Sequence, residues 1–188
     1  MKKSYFIGLI ALAIGLCSSS SSTNSPILYK LDTKSSTIDW DVLDQSEQSQ
    51  KGTLNFKSGN IKFDSKRIVG GFFYINLQSL KCTSISDAGF NADLVEWVRG
   101  ESNLNAIKQK EVTLKILKAT RNGITDGVDD YTISAQVNVK GIKKTIEFPA
   151  KVTYGKKASF KGKFTLPADL FSMEKDMNFS IDVVVIKS

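Results

Sequence analysis

The sequence predicts an all-β protein, an antiparallel barrel or sandwich of about eight to ten strands with one short helical insertion. Three observations support this prediction. Apolar and polar residues alternate along most of the chain, turn-forming residues separate the alternating runs, and a single stretch changes to helical spacing. The length of 188 residues suits one domain with short extensions, and a hydrophobic content of 41% is enough for a core.

The clearest alternation lies between residues 130 and 154, where apolar side chains take every second place in two runs. A period of two gives an extended strand one apolar and one polar face. We therefore expect a hairpin, with residues 141–144 as its turn. Pro149 cannot donate a ladder hydrogen bond, so its amide side should face a sheet edge or a bulge.

Similar runs precede and follow this hairpin. Gly70 and Gly71 are adjacent within one of them and indicate a bulge or a bend. The polar residues 44–50 predict a loop between two of the earlier runs. The alternating runs lie at residues 27–31, 38–42, 54–56, 61–63, 69–77, 112–116, 158–166 and 179–185.

Residues 90–100 break the alternation, because their apolar side chains recur at helical spacing. Asn91 is a residue type that caps helices, and Gly100 is one that ends them. We expect one helix here, followed by a second short helical turn through Leu104 and Ile107.

Composition limits the possible functions. The chain has 26 Lys and Arg against 19 Asp and Glu, but no dense basic block, so nucleic acid is not predicted as a partner. It has no histidine, which excludes Ser-His-Asp and Cys-His nucleophile systems and the usual zinc and non-haem iron sites. The acidic residues at 126–130 read as a turn, and Cys82 as an unpaired thiol. We predict no catalytic residue, no metal ligand and no cofactor, and hence a protein that is not an enzyme.

The first 17 residues predict export. A basic start and an apolar run too short to span a membrane end at Cys17, and residues 18–26 are rich in serine. This arrangement resembles a bacterial lipoprotein signal, which implies that Cys17 carries acyl chains and that residues 18–26 are a tether. Leu16 stands where such signals usually have a small residue, and cleavage near Ser19, with loss of Cys17, is the alternative. The folded domain is then residues 27–188.

Several short motifs in this domain resemble YceI-like domains, and their order and spacing agree from residue 29 to residue 186. The resemblance implies a lipocalin-like antiparallel β-barrel of about eight strands, usually exported, in which some members hold a polyisoprenoid or similar lipid. The motifs are residues 29–40 (YKLDTKSSTIDW), 52–56 (GTLNF), 59–64 (GNIKFD) and 137–144 (VNVKGIKK).

The chain departs from the family pattern at three places, all in regions that the resemblance puts near the barrel mouth. Residues 92–94 lack the family's histidine, residues 110–111 are Lys-Glu in place of Tyr-Pro, and residues 166–171 replace an Arg-containing element. The barrel is therefore better supported than the identity of any ligand.

A barrel of eight strands is either filled by side chains or encloses one small ligand. A long apolar chain gains about 0.8 kcal/mol for each buried CH₂, so a dozen carbons could gain about 10 kcal/mol before the cost of association. Simple filling of the core by the same side chains is the alternative. The residues predicted to line a dry channel are Trp40, Phe56, Phe63, Phe73, Ile75, Leu94, Trp97, Phe160, Phe164 and Phe179.

Two further groups have alternative readings. Trp97, with Leu94 and Val98, could form a lid over one end of the barrel, or could only dock the helix on the sheet. Lys140, Lys143 and Lys144 could meet a lipid phosphate, or could lie in a solvated turn; the second reading is favoured.

The leading hypothesis is an exported protein of the periplasm or cell envelope, membrane-anchored through Cys17, that encloses a long apolar lipid such as a polyisoprenoid without chemistry. The competing hypothesis is a packed barrel that acts as a cell-envelope interaction module through exposed loops, including residues 44–50 and 90–110. A membrane-spanning β-barrel is a third reading, which the Lys-rich polar faces and the helical insertion disfavour.

Overall fold

The computed structural model describes residues 25–43, 46–171 and 174–188. Within them, nine antiparallel strands, one α-helix and one 3-10 helix form a barrel. The elements are β1 (Ile27–Leu31), β2 (Thr37–Leu43), β3 (Ser49–Asp64), β4 (Arg67–Cys82), α1 (Ala88–Arg99), β5 (Glu111–Thr125), β6 (Val128–Val139), β7 (Ile142–Thr153), β8 (Lys157–Leu166), the 3-10 helix (Ala168–Phe171) and β9 (Met177–Lys187).

The nine strands occupy eight positions around the barrel. Strands β2 to β9 form a ring in the order β3, β2, β9, β8, β7, β6, β5, β4, and pairing of β3 with β4 closes it. Both β1 and β2 lie between β3 and β9, so together they fill one position. The predicted antiparallel barrel of about eight strands with a short helical insertion is thus confirmed.

The corner between β1 and β2 is held by side-chain hydrogen bonds. Ser36 Oγ donates to the Asp32 carbonyl oxygen and accepts from the Val184 amide, at 2.7 and 2.9 Å. The Asp32 carboxylate accepts from Ser35 Oγ and pairs with Lys157 Nζ, both at 2.9 Å. These bonds join the corner to the two neighbouring strands β8 and β9.

Three hairpins turn through two residues that both have positive φ, which is the type I′ geometry that matches strand twist. The turns are Ser65–Lys66, Asp126–Gly127 and Lys140–Gly141, with φ between 47° and 80°. The last turn is shorter than the predicted residues 141–144, because β7 already begins at Ile142. The Asp-Gly turn is the one predicted from the acidic residues 126–130.

Two predicted irregularities have a structural counterpart. Lys62 pairs with Gly70 and Phe63 with Ile68, so Val69 is an extra residue at a bulge. The pairing of β7 with β8 covers only residues 150–153 of β7 and stops next to Pro149. The runs predicted at 54–56 and 61–63 belong to one 16-residue strand, β3, which passes through Gly59 without a break.

The helix α1 begins two residues before the predicted start. Asp87 is its N-cap and accepts from the Phe90 amide at 3.0 Å. Asn91 is therefore not the cap; its side-chain amide donates to the carbonyl oxygens of Cys82 and Ile85 and so joins the helix to the end of β4. The helix ends before Gly100, as predicted. Residues 101–107 form turns, in which Leu104 is buried and Ile107 exposed.

The barrel interior is apolar, because alternate residues of β2, β6, β8 and β9, and of parts of the other long strands, point inward and are buried. Trp40 packs directly over Gly52 of the neighbouring strand, and the Lys81 carbonyl oxygen approaches Gly52 from β4. A Cβ atom on Gly52 would lie 1.8 Å from that oxygen and 2.4 Å from the Trp40 ring. Only glycine fits between these two groups.

Gly52→Ala should therefore destabilise the fold by about 1–3 kcal/mol or more, since either the ring or the β4 backbone must move. Gly123→Ala is the matched control, because nothing lies within 4 Å of a Cβ at that position, and it should stay within about 0.5 kcal/mol of wild type. Urea unfolding of both variants measures the difference. Equal stability would show that the contact at Gly52 is not tight.

The ion pair with Lys157, together with the Ser35 hydroxyl, lowers the pKa of Asp32 to about 2. A depressed carboxyl pKa adds stability that is complete above the unfolded-state pKa of about 4 and is lost as pH falls toward 2. Asp32→Asn should thus lower stability at pH 6 and approach wild type near pH 2. Thermal unfolding from pH 6 to pH 2 tests this, with Asp126→Asn, in the turn between β5 and β6, as the control substitution. A gap between wild type and Asp32→Asn that stays constant with pH would refute the assignment.

Candidate functional site

The two ends of the barrel differ in chemistry. The helix end carries α1, residues 101–110 and the 3-10 helix, and the hairpin end carries the turns at 65–66 and 126–127. A cavity lined only by apolar side chains lies inside the described barrel, toward the helix end. The candidate site is therefore built from the strand ends that meet there.

Segments outside the strand ladders cover this end. The Arg99 guanidinium donates to the carbonyl oxygens of Gln78 and Leu80, at 2.6 and 2.7 Å, and fixes the end of α1 to β4. Asn103 Nδ2 donates to the Trp97 carbonyl oxygen at 2.8 Å, which folds the following turn back over the barrel. As a result Leu104 points into the interior and is 3% exposed.

Below this cover lies a cavity of about 30 Å³. Every residue that lines it is apolar, so it suits hydrocarbon and offers no partner to a polar group. Strand residues form its walls, and Leu104 and Phe171 contribute from the covering segments. The lining residues are Leu54, Ile75, Leu77, Leu80, Leu104, Val112, Leu114, Val137, Val139, Phe164, Leu166, Phe171, Met177 and Phe179.

Aromatic rings and hydroxyl groups close the hairpin end. The Phe63 ring makes edge contacts with Tyr29 and Tyr154, with ring centroids 5.0 and 5.8 Å apart. The hydroxyl groups of Tyr131 and Tyr154 lie 3.3 Å apart, and both can donate to the Lys66 carbonyl oxygen at the turn. Burial raises the pKa of Tyr154 far above its ordinary value, so this phenol stays neutral.

An ion pair adds to this closure. Arg121 donates to Asp129 Oδ1 at 2.7 Å, and that hydrogen bond raises the pKa of the guanidinium. The Asp129 side chain is almost fully buried, whereas Arg121 remains about one-third exposed. A chain entering here would have to break a charged and hydroxyl network, so access from the helix end is easier.

The structure divides the ten predicted lining residues into three groups. Ile75, Phe164 and Phe179 line the cavity. Leu94 is half-buried on α1, and Trp97 is 53% exposed; neither lines this cavity. The other five are buried elsewhere in the core: Trp40, Phe56, Phe63, Phe73 and Phe160.

The predicted dry channel is thus replaced by a small cavity near one end. Sequence reasoning favoured large aromatic side chains, whereas the cavity walls are mostly leucine and valine. Phe171 and Leu104 were missed as lining residues, although both lie in or beside regions expected at the barrel mouth. Both could have been recognised in the sequence as apolar residues within segments that lack the alternation of a strand.

Other sequence predictions concern single groups. Cys82 is a free, buried thiol within the described residues. Cys17 and residues 18–24 lie outside the described part, so lipidation stays a prediction. In the part of the chain that the structure covers, no cluster of acidic or cysteine side chains could hold a metal ion. The same part holds no helix of sufficient length and apolarity to cross a bilayer.

Comparison with protein families matches residues 29–187 to the model of the YceI-like domain. The chain belongs to the YceI-like domain family. No match was found among curated proteins.

Solved structures agree with this assignment. BcnA of Burkholderia cenocepacia shares 16% identity at a TM-score of 0.66, over 82% of this chain and 98% of that one. A polyisoprenoid binding domain of Saccharophagus degradans, described as implicated in plant cell wall breakdown, shares 12% sequence identity at a TM-score of 0.63. The match covers 86% of this chain and 99% of that one. A Campylobacter jejuni YceI protein shares 17% sequence identity at a TM-score of 0.54, and the match covers 72% of this chain and 85% of that one. At these identities the likeness establishes a common fold.

Filling the cavity should be tolerated, whereas the same change elsewhere in the core should not. The double variant Val137→Ile with Val139→Ile adds two methylene groups to the cavity wall. A cavity costs about 24 cal/mol for each Å³, so filling the 30 Å³ should leave the free energy of unfolding unchanged or raise it by up to about 0.7 kcal/mol. Val183→Ile with Val185→Ile makes the same change at buried positions outside the cavity and should cost about 1–3 kcal/mol. Denaturant midpoints compare the two. Equal losses would show that the cavity walls are as tightly packed as the rest of the core.

Proposed function

We propose that this YceI-like protein is an exported binding protein that encloses one long apolar chain, with isoprenoid-type lipids first, at the helix end of its barrel. Binding sequesters or transports the chain, and no bond is made or broken. The wholly apolar cavity carries the proposal, because it is the described interior space in which hydrocarbon could replace empty volume.

The cavity must enlarge for this function, since drug-sized ligands occupy roughly 300–1,000 Å³ and the present volume is about 30 Å³. The movable parts are those outside the ladders. Leu104 lies in a turn and Phe171 in a four-residue 3-10 helix, so both can withdraw without breaking a strand pair. The ligand would then take over the apolar contacts that these two side chains make with the cavity walls.

Export and anchoring complete the proposal. The signal-like residues 1–17 support delivery to the periplasm or cell envelope, and acylation of Cys17 would hold the domain at a membrane. The polyisoprenoid-binding domain of S. degradans, which has the same fold, supports a lipid as the ligand class.

A second candidate function is a packed barrel that binds another envelope component through its surface. The small cavity favours it, and so do three large apolar side chains exposed at the helix end. Phe90, Trp97 and Ile107 are 71%, 53% and 77% exposed. This reading needs no enlargement of the cavity.

Native mass spectrometry with solvent extraction, on the chain produced in a bacterial periplasm, separates the two functions. We expect one apolar lipid for each protein molecule, or uptake of a polyisoprenoid alcohol by the extracted protein. Val137→Ile with Val139→Ile should weaken uptake at least tenfold by filling the cavity, whereas Val183→Ile with Val185→Ile should leave it unchanged. A mass without lipid that does not change on incubation would support the interaction module.

A further inference from the structure

The barrel has a gap in its backbone pairing beside the cavity. β7 pairs with β8 only over residues 150–153, although β7 pairs with β6 down to Ile142 and β8 pairs with β9 up to Leu166. In the described ladders, residues 142–149 of β7 are therefore paired only with β6, and residues 163–166 of β8 are paired only with β9. We call this gap the seam.

The residues at the closed end of the seam explain why the ladder stops there. Pro149 has no N–H and cannot extend the pairing toward β8. The Phe148 ring lies against Gly162, where a Cβ would come within 2.8 Å of the ring. The ring thus occupies the place where a side chain of β8 would otherwise pack, and the ladder between β7 and β8 ends at this level.

The seam leads to the cavity through aromatic rings. The Phe148 and Phe164 ring centroids lie 5.1 Å apart, and Phe164 stacks on Phe179 at 5.4 Å. Phe164 and Phe179 are cavity-lining residues, so an apolar chain that separates Phe148 from Phe164 reaches the cavity directly. No strand hydrogen bond in the described barrel has to break for this movement.

One cation lies at the inner edge of the seam. Lys144 shares the inward-facing side of β7 with Ile146 and Phe148, and its side chain is 41% exposed. Its Nζ lies 3.6 Å from Asp169 Oδ2 on the 3-10 helix, across the open end of the seam, and the Asp169 side chain is 74% exposed. This long, exposed ion pair is weak and can be replaced by another anion.

We propose that the seam is a lateral portal, and that the ligand is a single-chain amphiphile with an anionic head group. The chain passes between Phe148 and Phe164 into the cavity, and Lys144 holds the head group in place of Asp169. This inference rests on the proposed function and adds the ligand's polar end and its route.

The test compares cis-parinaric acid with the corresponding alcohol, two fluorescent probes that differ in head-group charge. Wild type should bind the acid at least fivefold more tightly than the alcohol. Lys144→Ala should remove that difference by weakening binding of the acid. Lys143→Ala is the matched control, because Lys143 lies on the opposite face of β7, and it should change neither affinity.

The variant Asp169→Asn distinguishes an ion pair that only stabilises the barrel from one that competes with the ligand's head group. If the pair only stabilises the barrel, Lys144→Ala and Asp169→Asn should act in the same direction. If Asp169 competes with the head group, Asp169→Asn should tighten acid binding about two- to fivefold. Loss of acid affinity in both variants would overturn the head-group role of Lys144.

Stearic acids with a nitroxide near the carboxyl end or near the methyl end locate the bound chain by NMR. The first should broaden amide signals of residues 143–147 and 163–165, and the second those around the cavity. Broadening of residues 101–107 by the first label would overturn the seam as the portal. Failure of both parinaryl probes and both labelled acids to bind wild type would instead refute the proposed function, and the portal with it.

Discussion

Closure of the ring is the constraint on which the rest of the structure depends. Each strand of β2 to β9 has a neighbour on both sides, so paired backbone separates most of the interior from water. Segments outside the ladders can then move without unfolding the barrel. Departures from complete pairing, such as the seam beside Pro149, become the places where the interior can be reached. Ligand access therefore depends on the pairing between strands more than on the composition of the lining.

Sequence alternation predicted the fold because each strand has to present one face to the apolar interior. Along residues 131–139 the odd-numbered side chains are all buried, as the period of two required. The Asp126–Gly127 pair predicted its turn from the sequence, because few other residue pairs readily adopt positive φ at both positions of a two-residue hairpin turn. The continuity of β3 was missed because the alternation gave two separate runs, at residues 54–56 and 61–63. Gly59 lies between these runs, and in the barrel it accommodates the close approach of Phe73.

The site was less predictable, and for a physical reason. Period and residue type tell which side chains face inward, but not how tightly they pack, so Phe73 and Ile75 looked equivalent although the second alone lines the cavity. Trp97 was assigned inward from helical spacing, yet Val98 is the residue that α1 buries against the barrel. The rotation of a helix on a sheet depends on its connections at both ends, here the bonds of Asn91 and Arg99 to β4.

The start of β1 has a consequence for orientation. Ile27 pairs with Phe63, so the chain enters the barrel at the hairpin end, opposite α1. The 16 residues of β3 span about 53 Å, or roughly 40 Å of barrel height at a tilt near 40°. Residues 18–26, even fully extended, reach at most about 32 Å. If Cys17 carries a lipid, as proposed, this tether is shorter than the barrel is high, so the barrel cannot stand upright with its helix end against the anchoring bilayer.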